Sequence, residues 1–348
     1  MSLCTLLLTT TSTAATLAAV KDMETSSAEV ERTKASTVEI SLDAPGPIFD
    51  GLGGLSAGAG TRLLIDYPEP QRSWVLDYLF KPSFGASLQV LKIEIGGTGD
   101  STIGTEDSHE RTRGHIDMDR GYELWFAQEA LRRNHKLVLY GLPWTFPPWV
   151  EVATEGFGPA AITYLADWVV GVENALGRPL QYLGWHNESP WENSWVLGLR
   201  QELDRRGKGH VKLVVADCGP NFQTSYAQLD GFFHNQTLSS TAAAIGLHYP
   251  NSIMPARLPS SQSYYRNLSS LPDGQKLWSS EEFSTPATQS GSRCLAKLFN
   301  RNFIDGNLTS SIVWSIIYAW YTDLACSGQG LICKWQVVSA ARFRTLCP

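Results

Sequence analysis

The sequence predicts an α/β fold, a (β/α)₈ TIM barrel, on three observations. Eight short apolar runs rich in β-branched residues recur from about residue 38 onwards. Loops rich in Gly, Pro or Trp follow these runs, and amphipathic segments lie between them. Strands that alternate with helices favour parallel βαβ units, and eight such units in a chain of this length favour a closed barrel.

The predicted secondary-structure elements can be placed in order along the chain. Strands are predicted at residues 48–55, 90–95, 136–142, 181–185, 211–216, 243–248, 276–280 and 311–317. Amphipathic helices are predicted at residues 71–79, 122–133, 160–176 and 194–205. An open doubly wound sheet is the alternative fold. The glycine run that begins at Gly51 does not favour it, because Ser and Ala follow the run where a dinucleotide site needs a G-x-x-G continuation.

Three parts of the chain are distinguished by composition. Residues 1–36 are predicted to be a signal peptide and a disordered lead-in, because a stretch rich in Thr and Ala precedes a polar, aperiodic segment. Residues 37–332 form the predicted barrel, and residues 333–348 form a divergent tail. This tail offers few residues for a helix over the seam of the barrel. We therefore expect the eighth helix to be missing or replaced by a different segment.

The composition excludes several classes of protein. Hydrophobic residues make up 43% of the chain and charged residues 18%, which is typical of a globular domain rather than a disordered one. Lys and Arg are scattered singly and the formal net charge is −6, so no nucleic-acid partner is expected. No apolar run is long enough to span a bilayer, so no transmembrane segment is expected.

Sequons and cysteines bear on the cellular compartment. Asn235, Asn267 and Asn307 each begin a glycosylation sequon, which favours the secretory route. The six cysteines show no zinc-like spacing. No metal site is expected, and no cofactor is expected either. The positions of the cysteines neither form a readable disulfide framework nor exclude disulfide bonds.

Glutamates follow two of the predicted strands directly. Glu188 comes after the fourth strand and Glu281 after the seventh. A single glutamate in such a position is usually a helix cap or part of a rim salt bridge, but a pair on strands that face each other across a barrel mouth is less well explained in that way. Retaining glycosidases need two carboxyl groups roughly 5–5.5 Å apart. The pair therefore predicts glycoside hydrolysis with retention.

The neighbours of these glutamates sharpen the assignment. Asn187 directly precedes Glu188, as in many barrel glycosidases in which an Asn donates a hydrogen bond to the 2-hydroxyl of the sugar. Glu282 follows Glu281, and consecutive side chains of a strand point to opposite sides. Only one of these two glutamates can therefore face the mouth of the barrel.

Longer strings make the sequence similar to a known family. Six of these strings are Phe49-Asp-Gly-Leu-Gly-Gly, Lys92-Ile-Glu-Ile-Gly-Gly, Gly141-Leu-Pro-Trp-Thr-Phe-Pro, Trp185-His-Asn-Glu, Gly246-Leu-His-Tyr-Pro and Leu277-Trp-Ser-Ser-Glu-Glu-Phe-Ser-Thr. With these strings the chain resembles glycoside hydrolase family 59, in register from about residue 48 to residue 332. The resemblance implies the removal of β-linked galactose from galactosylceramide and related galactolipids in the lysosome, with the help of a saposin-type activator protein.

The same resemblance assigns roles to individual residues. It implies that Glu188 is the acid/base, that Glu281 is the nucleophile, since the family usually carries Asp at the next position, and that Asn187 contacts the 2-hydroxyl. It implies that Thr102 and Trp144 hold the galactose. Three further residues match positions that line the cleft: His248, Ser284 and Trp314.

Departures from the family leave other interpretations open. Members of the family continue past the barrel into a β-sandwich and a lectin-like domain, and an Arg that reaches the active site from the sandwich has no counterpart here. A barrel glycosidase with another sugar preference, such as a glucosylceramidase-like enzyme, is one alternative. A truncated, inactive isoform is another. We expect the chain on its own to be marginally stable and weakly active.

Overall fold

The computed structural model describes residues 43, 46–101, 104–150, 158–189, 192–218, 235–250, 275–283 and 289–317. Every described helix and strand lies in the unit Pro47–Pro348. Eight parallel strands form a closed barrel in which each strand pairs with the next along the chain. The predicted TIM barrel is therefore confirmed. The lead-in and the tail lie outside the described residues, and so does any eighth helix.

The strands and helices have the following bounds. The strands are β1 Gly51–Ser56, β2 Val90–Ile95, β3 Val138–Pro143, β4 Tyr182–Gly184, β5 Lys212–Cys218, β6 Ala242–His248, β7 Lys276–Glu282 and β8 Ser310–Trp314. The described helices are α1 Thr61–Ile65, α2 Gln71–Phe80, α3 Glu123–Arg133, α4 Pro159–Leu176, α5 Asn193–Arg205, α6 Gln236–Ser239 and α7 Gln289–Ile304.

The predicted elements match these bounds closely. The second strand begins and ends where it was predicted, and the four predicted helices agree with α2 to α5 within one residue at each end. The short helices α1 and α6 were not predicted, because four or five residues are too few to show a helical period. The longer helix α7 was not among the predicted helices either. None of the helices that the structure describes combines the length and the apolar character that a transmembrane span requires.

The barrel closes where β8 pairs with β1, from Gly51 opposite Ser310 to Leu55 opposite Trp314. Asp50 holds the start of this seam. Its backbone N–H donates to the Thr309 carbonyl at 2.6 Å, and its carboxylate accepts a hydrogen bond from the indole of Trp278 at 2.9 Å. A side chain placed before the first strand thus ties together the last two strands.

Helices pack closely against the outside of the sheet, and Gly141 in β3 shows how closely. A Cβ atom at this position would overlap the ring of Trp168, a buried residue of α4. The absence of a side chain on the strand lets the large ring lie directly on the backbone. Interiors at this packing density accept added atoms only at a cost.

We expect Gly141→Ala to destabilise the fold by about 1–3 kcal/mol, because the new methyl group forces Trp168 out of its position. The measurement is urea denaturation followed by circular dichroism. As a control, Gly46→Ala has no atom within 4 Å of the added carbon and should leave the denaturation midpoint unchanged. Trp168→Leu combined with Gly141→Ala should recover part of the loss. A Gly141→Ala protein as stable as the parent would contradict this account of the packing.

Three carboxyl groups lie buried beside β2. Glu94, Glu106 and Glu123 are each at most 3% exposed. Their described hydrogen bonds come from hydroxyl and backbone N–H groups: the Ser101 hydroxyl donates to Glu94 at 3.0 Å, and the Ser56 hydroxyl donates to Glu123 at 2.8 Å. The backbone N–H of Glu123 donates to Glu106 at 3.0 Å. A carboxylate that is buried without a cation is costly to ionise.

Burial therefore raises the pKa of all three groups. The pKa of Glu94 rises to about 8 and that of Glu106 to about 7, while that of Glu123 lies well above its usual value. In the unfolded chain the same groups ionise near pH 4.5. Their contribution to stability is thus fully present below that pH and is lost as the pH rises through 7 and 8.

We expect the free energy of unfolding to fall as the pH rises from 5 to 8, and Glu94→Gln to make that fall shallower, since glutamine mimics the protonated acid. Urea denaturation at several pH values measures both. Glu202→Gln is the matched control, because Arg205 and Arg206 lower the pKa of Glu202 to about 2 and this group stays ionised throughout the range. Stability that increases from pH 5 to pH 8 would contradict the prediction.

Candidate active site

The two predicted glutamates and one histidine lie at the same end of the barrel. Glu188 follows β4, His248 ends β6, and Glu281 is the penultimate residue of β7. The carboxyl ends of parallel strands meet at one face of the barrel, where active sites of this fold lie. The side chain of His248 is fully buried and that of Glu281 is 7% exposed, whereas that of Glu188 is 32% exposed.

His248 lies between the two carboxyl groups. Its Nδ1 is 2.9 Å from Glu188 Oε1 and 3.6 Å from Glu281 Oε2. Two atoms near a common third are no further apart than the sum of these distances, so the two oxygens lie within 6.5 Å of each other. The hydroxyl of Tyr249 donates a hydrogen bond to the other oxygen of Glu281.

Irregular backbone at the strand ends orients the side chains of the two glutamates and of His248. The register shifts between Ala216 and Cys218, between Leu247 and His248, and between Ser279 and Glu282. Left-handed backbone occurs at the mouth at Glu188 with φ 47°, at Ala216 and Asp217 with φ 70° and 49°, and at Tyr249 with φ 50°. Such conformations cost about 1–3 kcal/mol each and persist where the surroundings fix them.

The left-handed residues are held by hydrogen bonds between strand ends. The backbone N–H of Glu188 donates to the Asp217 carbonyl at 3.0 Å, and that of Tyr249 donates to the Glu281 carbonyl at 2.8 Å. These bonds connect β4 to β5 and β6 to β7 beyond the regular ladders. The strain is therefore located where it turns the two glutamates towards His248.

A buried ion pair lies beneath the glutamates. The ammonium group of Lys92, in β2, is 2.8 Å from Asp217 Oδ1, in β5, and both side chains are at most 1% exposed. The same carboxylate accepts hydrogen bonds from His248 Nε2 at 2.7 Å and from the Ser280 hydroxyl at 2.8 Å. The hydroxyl of Tyr140 donates to its second oxygen. Asp217 thus has four donors from four other strands.

These contacts set the charges of the buried groups. Burial disfavours an ionised Asp217, but the charge of Lys92 and the hydrogen bond from His248 outweigh it and lower its pKa to about 2. Burial also disfavours an imidazolium, but Glu281, Asp217 and Glu188 raise the pKa of His248 to about 9. The site therefore contains two buried cations and one buried anion besides the two glutamates.

The two glutamates differ in their environment. Burial raises the pKa of Glu281, and the neighbouring charge of Glu188 raises it further. Burial acts in the same direction on Glu188, but the hydrogen bond from His248 outweighs it and lowers the pKa of Glu188. Two carboxyl groups this close share protons and titrate as a pair. In the ligand-free site, a single proton on the pair favours Glu281.

The structure places four of the other predicted site residues. The ring of Trp144 lies over the ammonium group of Lys92, 5.5 Å from it. The backbone N–H of Asn187 donates to the Pro143 carbonyl at 2.9 Å. Its side-chain oxygen is buried and has no hydrogen-bond partner among the residues that the structure describes. His248 bridges the glutamates as described above.

Trp314 is connected to the site by contacts between aromatic rings. Its ring is 6.0 Å from that of Phe283, which in turn is 5.0 Å from that of Tyr249. The predicted substrate residues Thr102 and Ser284 lie outside the described residues. Trp144, Asn187, His248 and Trp314 are thus brought to the same mouth as the glutamate pair.

Glu282 faces away from this site. The side-chain amide of Asn302, in α7, donates to it at 3.3 Å, and the carboxyl group is fully buried. Glu281 contacts Tyr249 and His248 instead. The two adjacent glutamates of β7 therefore point to opposite sides of the sheet, as the alternation along a strand requires.

Sequence reasoning missed the residues beneath the pair. Neither Lys92 nor Asp217 was assigned a role, and Tyr140, Tyr249 and Ser280 were not singled out. A signal was present, since Lys92 interrupts the apolar run of β2 and Asp217 that of β5. Charged residues within otherwise apolar strands are costly unless they are paired. Their partners could not be read from sequence, because they come from other strands. Among the described residues, no group of three or more His, Cys, Asp or Glu side chains forms a metal-binding arrangement.

Comparisons with solved structures agree with the fold. The endo-β1,6-glucanase BT3312 superposes with a TM-score of 0.62 at 16% identity, covering 77% of this chain and 65% of that one. SrfJ from Salmonella typhimurium superposes with a TM-score of 0.60, also at 16% identity and with the same coverage of the two chains. At this level of identity the likeness concerns the barrel architecture alone.

Sequence comparisons identify the family. Residues 49–339 match the model of glycosyl hydrolase family 59. Galactocerebrosidase of Danio rerio is 39% identical over 290 residues, which cover 82% of this chain and 41% of the relative. The galactocerebrosidases of Mus musculus and Homo sapiens are each 38% identical and cover 83% of this chain and 40% of their own. The chain spans about two-fifths of the length of these relatives. The chain belongs to glycosyl hydrolase family 59.

Proposed function

We propose that the chain is a retaining β-galactosidase domain that hydrolyses galactosylceramide and related galactolipids by double displacement. The observation that supports this most directly is the approach of Glu188 and Glu281 to one nitrogen of His248, at 2.9 and 3.6 Å. The resulting upper bound on the separation of their oxygens is compatible with the roughly 5–5.5 Å of retaining enzymes. The relatives that cover this barrel are named galactocerebrosidases.

In the first step Glu281 is the nucleophile and Glu188 the general acid. Glu281 is the more deeply buried of the two and is held by the Tyr249 hydroxyl, as an attacking carboxylate needs. Glu188 is the more exposed, next to the solvent into which the lipid alcohol leaves. A carboxylate oxygen of Glu281 bonds to the anomeric carbon while the glycosidic bond breaks, and Glu188 gives its proton to the departing oxygen.

In the second step Glu188 acts as a general base. It removes a proton from water, the water oxygen bonds to the anomeric carbon, and the ester bond to Glu281 breaks. Two inversions at the same carbon give net retention. The step leaves Glu188 protonated and Glu281 ionised, which is the state from which the first step begins.

One proton on the glutamate pair is therefore the working state. Binding of substrate separates Glu188 from solvent and places a basic oxygen beside it, which favours the proton on Glu188. Once Glu188 is neutral, its charge no longer raises the pKa of Glu281, and the positive charges of His248 and Lys92 favour ionisation of Glu281. The ligand-free preference for a proton on Glu281 is thus reversed as the reaction begins.

The other site residues have matching parts in this proposal. Trp144 and Thr102 hold the galactose, Asn187 contacts its 2-hydroxyl, and His248, Ser284 and Trp314 line the cleft. The lipid substrate implies a saposin-type activator protein, since a sphingolipid in a membrane does not present its head group to a cleft unaided. A lysosomal location is consistent with the buried glutamates of β2 and α3, which favour acid pH.

We expect the purified chain to hydrolyse a chromogenic β-galactoside at acid pH faster than the corresponding β-glucoside. The two sugars differ in the configuration of one hydroxyl group, so the ratio of the two kcat/KM values measures the specificity of the site for galactose over glucose. A faster reaction with the glucoside would favour a glucosylceramidase-like specificity. No turnover of either, by a chain that melts cooperatively, would refute the proposal for this chain.

We expect Glu281→Gln to lower kcat by about 10⁴-fold or more on every substrate, because no covalent intermediate can form. Glu282→Gln is the matched control, since it changes the adjacent residue on the opposite side of the same strand and should retain most of the activity. The measurement is steady-state hydrolysis of the aryl galactoside. Loss of activity in Glu282→Gln alone would show that the nucleophile has been assigned to the wrong glutamate.

We expect Glu188→Gln to lower the rate by about 10²–10⁴-fold on substrates with poor leaving groups and far less on activated aryl galactosides. An activated phenolate leaves without a proton, whereas the alkoxide of a lipid does not. The test compares kcat/KM for a series of galactosides whose leaving groups differ in pKa. Equal losses across the series would contradict the acid/base role.

A further inference from the structure

The buried charges around His248 can be counted from geometry. Both ring nitrogens face carboxylate oxygens, Nδ1 towards Glu188 at 2.9 Å and Nε2 towards Asp217 at 2.7 Å. A neutral imidazole has only one N–H, so it can donate to only one of two carboxylates. The ring that donates to both is an imidazolium. Its raised pKa of about 9 agrees with this arrangement.

Six elements of the barrel contribute titratable groups near this ring. The titratable groups near it are Lys92 on β2, Tyr140 on β3, Glu188 after β4, Asp217 on β5, Tyr249 after β6 and Glu281 on β7. Both tyrosines donate their hydroxyl protons and are neutral. The charges that remain are those of the two cations, Asp217 and the glutamate pair.

The sum of these charges depends only on the glutamates. Lys92 and the imidazolium carry two positive charges and Asp217 carries one negative charge. The cluster is therefore neutral when one of the two glutamates is ionised and the other is protonated. Four of the five charged groups are at most 7% exposed, so a net charge on the cluster is costly because little water solvates it. Neutrality thus favours the one proton that double displacement needs.

We propose that Lys92 and Asp217 are positioning residues that, through His248, hold the number of protons shared by Glu188 and Glu281 at one. Asp217 orients the ring, and Lys92 supplies the charge that balances Asp217. Glu188 and Glu281, at 2.9 and 3.6 Å from Nδ1, also favour the imidazolium, so the charge of the ring does not depend on Asp217 alone. Neither residue needs to touch the substrate. This inference rests on the proposed function for its purpose, but the proton count on the pair can be measured without any substrate.

Lys92→Met is the informative variant. It removes one buried positive charge with little change in volume, and Asp217 keeps its donors on Ser280, Tyr140 and His248. The cluster then carries an excess negative charge, which a second proton on the glutamates neutralises. We expect the carboxyl titrations of Glu188 and Glu281 both to move to higher pH by about one unit.

The measurement is carbon NMR of the ligand-free protein labelled at the glutamate side-chain carboxyls. Glu188→Gln and Glu281→Gln identify the two signals. If Lys92→Met does not fold, Lys92→Gln removes the same charge and its amide can still donate to Asp217. Titrations that stay within a few tenths of a pH unit of the parent in either folded variant would overturn the proposal.

Charge rescue separates this role from a structural one. In Lys92→Met combined with Asp217→Asn, one charge of each sign is removed, so the cluster is again neutral with one proton on the pair. We expect both titrations to return towards the parent values, although two buried groups have been changed. A distortion of the site would instead grow with the second substitution, and titrations that move further away would overturn the proposal.

A matched control lies at the other end of the barrel. Lys276 begins β7 and pairs with Asp50 across the seam, five positions before Glu281 along the strand. Lys276→Met removes a lysine charge from an ion pair of the same barrel and should leave both titrations unchanged. An equal shift in this variant would mean that any lost cation has the effect, and would overturn the specific role of Lys92.

The pH dependence of turnover connects the inference to catalysis. With an aryl β-galactoside, both limbs of the kcat/KM profile of Lys92→Met should move to higher pH by about one unit and return in the double variant. Shifted titrations in a folded chain that never turns over a galactoside would count against the proposed function alone. Normal turnover with unshifted titrations would count against the inference alone.

Discussion

The geometry of the site depends on the hydrogen bonds that the carboxylate of Asp217 accepts. This carboxylate accepts hydrogen bonds from Lys92 on β2, Tyr140 on β3, His248 on β6 and Ser280 on β7. These strands lie around the interior of the barrel and are distant in sequence, so no local rule brings them together. Removal of one partner from a buried ion pair typically costs about 3–5 kcal/mol. The geometry around His248, and through it the position of both glutamates, is therefore tied to a charge that solvent does not reach.

Much of this arrangement follows from the sequence, and the remainder has a physical reason. The eight strands were predictable because each is a short apolar run between polar segments, and Glu188 and Glu281 because they follow such runs directly. The interior network was not predictable, because Lys92 and Asp217 are 125 residues apart and only the closed barrel brings them to 2.8 Å. The left-handed backbone at Glu188, Asp217 and Tyr249 was equally hidden, since none of them is a glycine.

The irregular ends of three strands determine which side chains face the mouth of the barrel. A regular barrel strand places alternate side chains in the interior and on the outer face. Register shifts at the ends of β5, β6 and β7 interrupt this alternation on three neighbouring strands. As a result Glu281 contacts His248 on β6, and Glu282 remains outside with Asn302. These irregularities lie at the mouth, beside Glu281 and His248, while the seam between β8 and β1 pairs without a shift.

Buried carboxyl groups in the same barrel have very different pKa values because their neighbours differ. Asp217 has an ammonium and an imidazolium beside it, so it stays ionised at almost any pH. Glu94, Glu106 and Glu123 have hydroxyl and backbone donors instead, so burial keeps them protonated until the pH approaches neutrality. Asp217 thus keeps a negative charge in the interior, whereas the three glutamates make the fold more stable at acid pH. The barrel can therefore be most stable at a pH where the pair Glu188 and Glu281 still carries one negative charge, because Lys92 and His248 stabilise that charge while Glu94, Glu106 and Glu123 remain neutral.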